Sequence, residues 1–193
     1  YGNEFTCEPV HNLVHRLVLN HDGIRIEGAR ASDEKNTEFL ASSDNWFRPV
    51  QVRTGPDGAL YVVDMYRFVI EHPRWIAPER LAKLDVRAGD TMGRIYRVVP
   101  KATKPKPIVD LTRLPAEKLA SRLNTPNGTE RDRVHQEILF GQRTWSAPEE
   151  RRIIEVMTSL TTGSSNPAVR LQAACILDGF GKLNHQTIVK LLH

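Results

Sequence analysis

Apolar and polar residues alternate with a period near two through the first hundred positions and with a period near 3.6 through the rest, so a strand-like pattern gives way to a helical one near residue 100. Leu13, Val14, Leu17, Val18 and Leu19 lead into an Asn20-His21-Asp22-Gly23 turn, after which Ile24, Ile26 and Ala29 interleave with Arg25, Glu27 and Arg30. That arrangement predicts a hairpin. Val50 and Val52 alternate with Gln51 and Arg53 up to Gly55-Pro56-Asp57-Gly58, and Leu60 to Val63 predicts a compact strand beyond the turn. Gly93 to Val99 predicts another. Between Met65 and Met92 lies an irregular excursion holding His72-Pro73-Arg74-Trp75-Ile76-Ala77-Pro78. It is longer than a hairpin connection requires, and long loops often shape a binding face.

Pro100-Lys101-Ala102-Thr103-Lys104-Pro105-Lys106-Pro107 has nothing to bury and predicts a semi-extended linker. Pro115 then opens a short helix carrying Leu119 and Leu123, and Thr129 is the expected cap of the next, which carries Val134, Ile138 and Leu139. Ser146-Ala147-Pro148-Glu149 has the form of a capping box before Ile153, Val156, Met157 and Leu160. Asn166-Pro167 predicts a further start, with Val169, Ala173, Ile176, Leu177 and Phe180 on one stripe and Gly179 and Gly181 at the end. Asn184 begins a last helix whose apolar run includes Leu191 and Leu192.

Two strands around a Gly-Pro-Asp-Gly turn are the phrase of a β-propeller blade, and a blade buries its faces only against neighbouring blades. The short one-striped helices fit a stacked helical-hairpin solenoid, with an ordinary helical bundle as the alternative. Asn166 to Ala174 resembles the second part of a HEAT repeat, and Thr125 to Asp132 partly echoes it. The expected fold class is therefore mixed: all-β propeller blades, forming a partial propeller, followed by an all-α HEAT-like helical solenoid. The expected domains are C-terminal blades over 1–100, a Pro/Lys-rich linker over 101–112, and helical repeats over 113–193 truncated at the C-terminus. About 100 residues supply roughly two blades at the ~40 to 50 residues typical of propeller repeats, so the chain is expected to be a fragment of a larger polypeptide and inactive alone.

Composition narrows the classes. With 193 residues, 40% of them hydrophobic and 26% charged, the chain is long enough for one or two ordinary domains. Its longest apolar runs fall far short of the ~20 residues that a bilayer crossing needs. Tyr1 to Cys7 has no basic head and apolar stretch, so no export signal is visible, and the natural start is expected to lie upstream. The net charge of +4 is uneven: residues 1–100 carry 13 Lys plus Arg against 14 Asp plus Glu, and residues 101–193 carry 14 against 9. Arg131, Arg133, Arg151 and Arg152 sit beside Glu130, Asp132, Glu149 and Glu150, the mixed signs of a solvated helix face, so no nucleic-acid partner is expected. Cys7 and Cys175 form no metal or haem motif.

The candidate chemistry is concentrated at the second hairpin. Trp46 and Arg48 precede its first strand, while Asp64, Tyr66 and Arg67 follow its second, and an antiparallel hairpin returns to the end where it began. An arginine fork there suits a carboxylate or phosphate; the alternative is a structural Arg48–Asp64 ion pair. His11 and His15 have a metal-ligand spacing only on a helix, and the extended chain expected here sets them about 13 Å apart. No H-E-x-x-H, phosphate-binding, G-x-S-x-G or G-x-G-x-x-G motif occurs.

Taken in order, Cys7 to Arg16, Glu38 to Ser42, the hairpin with Asp64-Met65-Tyr66-Arg67, Ile70 to Pro73, and Gly93 to Val98 resemble the end of a bacterial membrane-bound dehydrogenase-like propeller. Those proteins are related to glucose and sorbosone dehydrogenases that use pyrroloquinoline quinone (PQQ). The resemblance implies an oxidoreductase acting on a sugar or alcohol in the periplasm or cell envelope, with PQQ and calcium held by the full-length protein. Arg48 matches an arginine that binds the cofactor's carboxylates. Trp46 stands where a second arginine occurs, and Asn12 stands near the position of the cofactor-binding lysine. The implied cofactor-binding set is Arg48, Trp46, Asn12, Tyr66 and Arg67; no catalytic residue and no metal ligand is assigned. The expected partners are the substrate, the upstream blades and a protein bound by the helical repeats. The alternative function is a non-catalytic scaffold that binds a protein or a glycan, with Arg48 and Asp64 structural.

Overall fold

The computed structural model describes residues 2–104 and 106–191, so Leu192 lies outside the described residues. The chain divides into two compact units, one of residues 1–54 and 59–103 and one of residues 55–58 and 104–193.

In the first unit, β1 (Asn3–Glu8), β2 (Leu13–Asp22), β3 (Arg25–Arg30) and β4 (Leu40–Ala41) form a four-stranded antiparallel sheet in which β2 pairs with each of the others. β5 (Pro49–Thr54), β6 (Leu60–Asp64) and β7 (Arg94–Val98) form a three-stranded antiparallel sheet in that order. The core between them is thin. Val14, Phe47 and Val62 are buried, with Phe5, Cys7, Phe39, Leu40, Val52 and Val98 packed around them. The Phe5 and Phe39 rings meet edge to face at 4.8 Å. The alternation expected at Val50 is broken by a register shift between Pro49 and Gln51, which leaves Val50 45% exposed. An extra residue of this kind bends a strand and re-aims its neighbours. The excursion between β6 and β7 contains a 3-10 turn over Pro73–Trp75 and one α-helical turn, α1 (Pro78–Leu81).

The second unit holds α2 (Ala116–Ser121), α3 (Gly128–Phe140), α4 (Ala147–Gly163), α5 (Pro167–Gly179) and α6 (His185–Leu191). Pro115 is the N-cap of α2, and Leu119 and Leu123 are fully buried. The cap of α3 is Asn127, whose side chain accepts the Thr129 N–H at 3.1 Å, so Thr129 receives the cap instead of supplying it. Ser146 and Glu149 make the capping box of α4, with Glu149 Oε2 accepting from the Ser146 N–H at 3.1 Å and from its hydroxyl at 2.7 Å. Asn166 caps α5 by accepting the Ala168 N–H. The core is one cluster that includes Leu119, Leu123, Val134, Ile138, Ile153, Met157, Ala173, Ile176 and Leu177.

This architecture corrects the expected partial propeller followed by a HEAT-like solenoid. The described residues form a mixed α and β structure with two small sheets and six α-helices. Among the described residues no propeller is closed, because the four-stranded and the three-stranded sheet each end in open edges. Every residue of the edge strand β3 is exposed, which no neighbouring sheet covers among the described residues. No extended solenoid forms among the described residues either. The helices of the second unit have 6, 13, 17, 13 and 7 residues, so no hairpin unit repeats, and α2 to α5 share one core. The hairpin phrase specifies strand, turn and strand; it carries no information about ring closure. No helix is long and apolar enough to cross a membrane among the described residues.

Candidate functional site: the cleft beside Arg48

The register of the second sheet pairs Pro49 with Asp64 and Asp64 with Arg94, which brings the residue before β5, the end of β6 and the start of β7 together. Asp64 is 1% exposed. Its Oδ1 accepts the backbone N–H of Arg48 at 2.8 Å and of Tyr66 at 2.9 Å, and its Oδ2 accepts Arg94 Nε at 2.9 Å. The side-chain ion pair of Asp64 is therefore made with Arg94, and Arg48 contributes only its main-chain N–H. Hydrogen bonding to Asp64 pushes the Arg94 guanidinium pKa up from its already high value. The same guanidinium lies 3.7 Å from the centroid of the Tyr66 ring.

The Arg48 side chain is held differently. Its Nε donates to the Arg67 carbonyl at 2.9 Å, Nη1 to Pro9 at 2.7 Å and Val10 at 3.3 Å, and Nη2 to Phe68 at 3.0 Å. Four carbonyl dipoles thus take up most of the five N–H donors of the fork. No carboxylate among the described residues is paired with this 8%-exposed cation. Carbonyl hydrogen bonds supply the stabilisation that a buried charge requires.

Arg48 and Asn12 line a cleft of about 490 Å³ in the first unit, together with Val10, Asn45, Phe68 and Trp75. Glu71 and Arg80 add an acidic acceptor and a second guanidinium to its lining. This volume falls within the ~300–1,000 Å³ of ordinary small-molecule sites. Asn12 has a left-handed backbone (φ 59°), which asparagine tolerates better than most residues, and its Nδ2 donates to the Phe47 carbonyl at 2.5 Å. Trp75 is 76% exposed, and the Arg74 guanidinium lies 5.4 Å from the centroid of its ring.

The structure separates the expected cofactor-binding set. Arg48 and Asn12 share the cleft. Trp46, Tyr66 and Arg67 are not among the cleft-lining residues. Trp46 packs on Tyr66 and Phe68 with ring centroids 5.6 and 5.7 Å apart, and Arg67 Nη1 donates to the Arg87 carbonyl at 2.7 Å. Tyr66 also has a left-handed backbone (φ 51°). Gly89 (φ 88°) packs so closely over the Tyr66 carbonyl that a Cβ there would overlap it. His11 and His15 are separated in role: His11 lies 3.6 Å from Glu8, while His15 Nδ1 is 2.7 Å from Glu38. No group of three or more His, Cys, Asp and Glu among the described residues is arranged to hold a metal.

Sequence reasoning did not single out Asn45, Phe68, Glu71, Arg80 or Arg94 as site residues, and it noted Trp75 only as part of the excursion. The signal available for Trp75 was an indole between two prolines in a segment too long for a turn.

Residues 1–102 match a family model described as "Domain of unknown function (DUF7133)". No curated protein and no solved structure matches the chain.

Proposed function

From the premise that the chain belongs to the DUF7133 family, which its match over more than half its length establishes, we propose that the first unit is a non-catalytic recognition module for a saccharide, with preference for a sugar acid. The observation that carries this reading is the pairing of an exposed indole, Trp75, with a fixed cation, Arg48, in one cleft. An aromatic face left in water offers an apolar platform to a sugar ring, and Asn12, Asn45, Glu71 and Arg80 supply donors and acceptors for hydroxyl groups. Arg48 and Arg80 outnumber Glu71 in the lining; Arg48 acts there through its charge, since backbone carbonyls already hold its fork, and the net positive field favours a ligand with one negative charge.

Titration calorimetry of the whole chain with glucuronate and glucose tests this. Glucuronate is expected to bind more tightly, and Trp75→Ala to weaken it by about tenfold, or ~1.4 kcal/mol, without lowering the melting temperature. Absence of saturable binding by either sugar overturns the reading.

The second reading is part of a larger quinoprotein that oxidises a sugar or alcohol. It is favoured by the placement of Arg48 and Asn12, both positions matched to the cofactor region, in one cleft. For PQQ to use Arg48, its carboxylates would have to displace backbone carbonyls that already hold the fork. Saturable PQQ binding in the presence of calcium, lost in Arg48→Gln and unaccompanied by sugar binding, would favour this reading over the first.

A further inference from the structure

We propose that Arg48 is a positioning residue that holds residues 9–12 and 64–68 as one body, and that the cleft keeps its shape only while this body is intact. The claim that ligand binding depends on it rests on the recognition reading above; the mechanical claim does not.

The two segments belong to different sheets. Residues 9–12 connect β1 to β2 in the four-stranded sheet, and residues 65–68 follow β6 in the three-stranded sheet. Among the described residues, the apolar cluster between the sheets has three buried members, Val14, Phe47 and Val62. Across this seam Arg48 donates to Pro9 and Val10 on one side and to Arg67 and Phe68 on the other. Asn12 returns the connection by donating to the carbonyl of Phe47, the residue next to Arg48. Asp64 fixes the root of the same arginine and the N–H of Tyr66 through one oxygen.

Each segment also passes through a left-handed non-glycine residue, Asn12 on one side and Tyr66 on the other. Such a conformation is costly for tyrosine and persists when surrounding contacts over-determine it. The bonds from Arg48 and Asp64 flank both corners. Val10, Asn12 and Phe68, which carry or adjoin these corners, are walls of the cleft. A planar fork can span carbonyls in several directions at once, whereas an ammonium donates from a single point. Lysine therefore retains the charge and loses the span.

Hydrogen exchange followed by mass spectrometry on the whole chain decides the mechanical claim. In Arg48→Lys, peptides covering 9–13 and 65–69 are expected to exchange faster together, by about tenfold, while peptides from α4 and α5 are unchanged. Asn12→Gly provides a second variant that favours folding, because glycine accepts the left-handed backbone without strain. It removes the return bond to Phe47 and is expected to speed exchange in 65–69 as well as in 9–13. Unchanged exchange in 65–69 in both variants overturns the brace.

The ligand arm uses glucuronate. Arg48→Lys is expected to lower its affinity by about tenfold although the charge is retained, because the cleft loses its shape. Wild-type affinity in Arg48→Lys with both segments loosened would sever the cleft's shape from the brace and overturn that half of the proposal. Failure of wild type to bind glucuronate would count against the recognition reading alone, since the exchange result stands by itself.

Discussion

In the helical unit twelve buried residues between Leu111 and Leu177 form one core cluster, whereas in the strand-rich unit the cluster is Val14, Phe47 and Val62. Beside that small cluster lie Asn12, Arg48 and Asp64, buried and hydrogen-bonded to one another's backbone or to the adjoining segments. Apolar packing is non-directional, so the helical core tolerates side chains that fit approximately. A polar hub is directional, and losing one member strands the partners it leaves behind. The strand-rich unit therefore buys definition of a cleft with a network that has little tolerance for substitution.

The comparison can be broken most forcefully in the helices. Met157 is fully buried, and Met157→Ala is expected to destabilise that unit by about 2–5 kcal/mol, read from urea unfolding followed by helical circular dichroism. A cost below that range would mean the core is looser than its burial indicates. Next comes Asp64→Ala, which strands the N–H groups of Arg48 and Tyr66 and removes the partner of Arg94. Its expected cost is about 2–3 kcal/mol, discounted because Arg94 is 40% exposed and reaches water. Near-ultraviolet circular dichroism from the Trp46 and Tyr66 environment should change with it. A neutral result would show that water replaces the hub without penalty.

Smaller effects sharpen the picture at the start of α4. Ser146→Ala removes a cap and is expected to cost about 1 kcal/mol, measured as a shift in the urea midpoint. The same cap has a pH signature. Hydrogen bonds from the Ser146 hydroxyl and backbone hold the Glu149 carboxyl below its ordinary pKa of 4.5, outweighing the opposing effect of partial desolvation. A depressed folded value means that the contribution is complete above 4.5 and is lost as the pH falls through the lower folded value. The stability difference between wild type and Glu149→Gln should be flat above that point and shrink on further acidification. A difference that grows with acid would contradict the assignment.

Where one side chain answers to its immediate neighbours, the sequence was readable. Ser146-Ala147-Pro148-Glu149 and Asn166-Pro167 start α4 and α5 because cap chemistry acts within four residues. Asn127 is not legible as a cap because Asn-Gly also reads as a turn, and only the carbonyl and N–H geometry distinguishes the two. Val50 kept its place in an alternating pattern on paper, but the register shift at Pro49 to Gln51 moves it outward. Arg94 lies thirty residues from Asp64, so their pairing depends on the β6–β7 register. The sequence marks Arg48 as a fork suited to oxygen ligands. The oxygens it meets are main-chain carbonyls contributed by two distant segments, and no local pattern announces them. The propeller and solenoid expectation failed for a related reason: repeating local phrases do not determine how many sheets or helices surround them.

The outermost strand of the first sheet has a bearing on behaviour at high concentration. Ile24 just before β3 and Ile26 within it are 105% and 57% exposed, and the strand's remaining backbone edge could template pairing with another molecule. Arg25, Glu27 and Arg30 place charge along that edge, and Arg25 and Glu27 pair at 2.6 Å on the face of the strand opposite Ile26. These charges act as gatekeepers against fibril growth, so replacing all three with threonine would leave a sticky ribbon and should raise light scattering as the solution is concentrated.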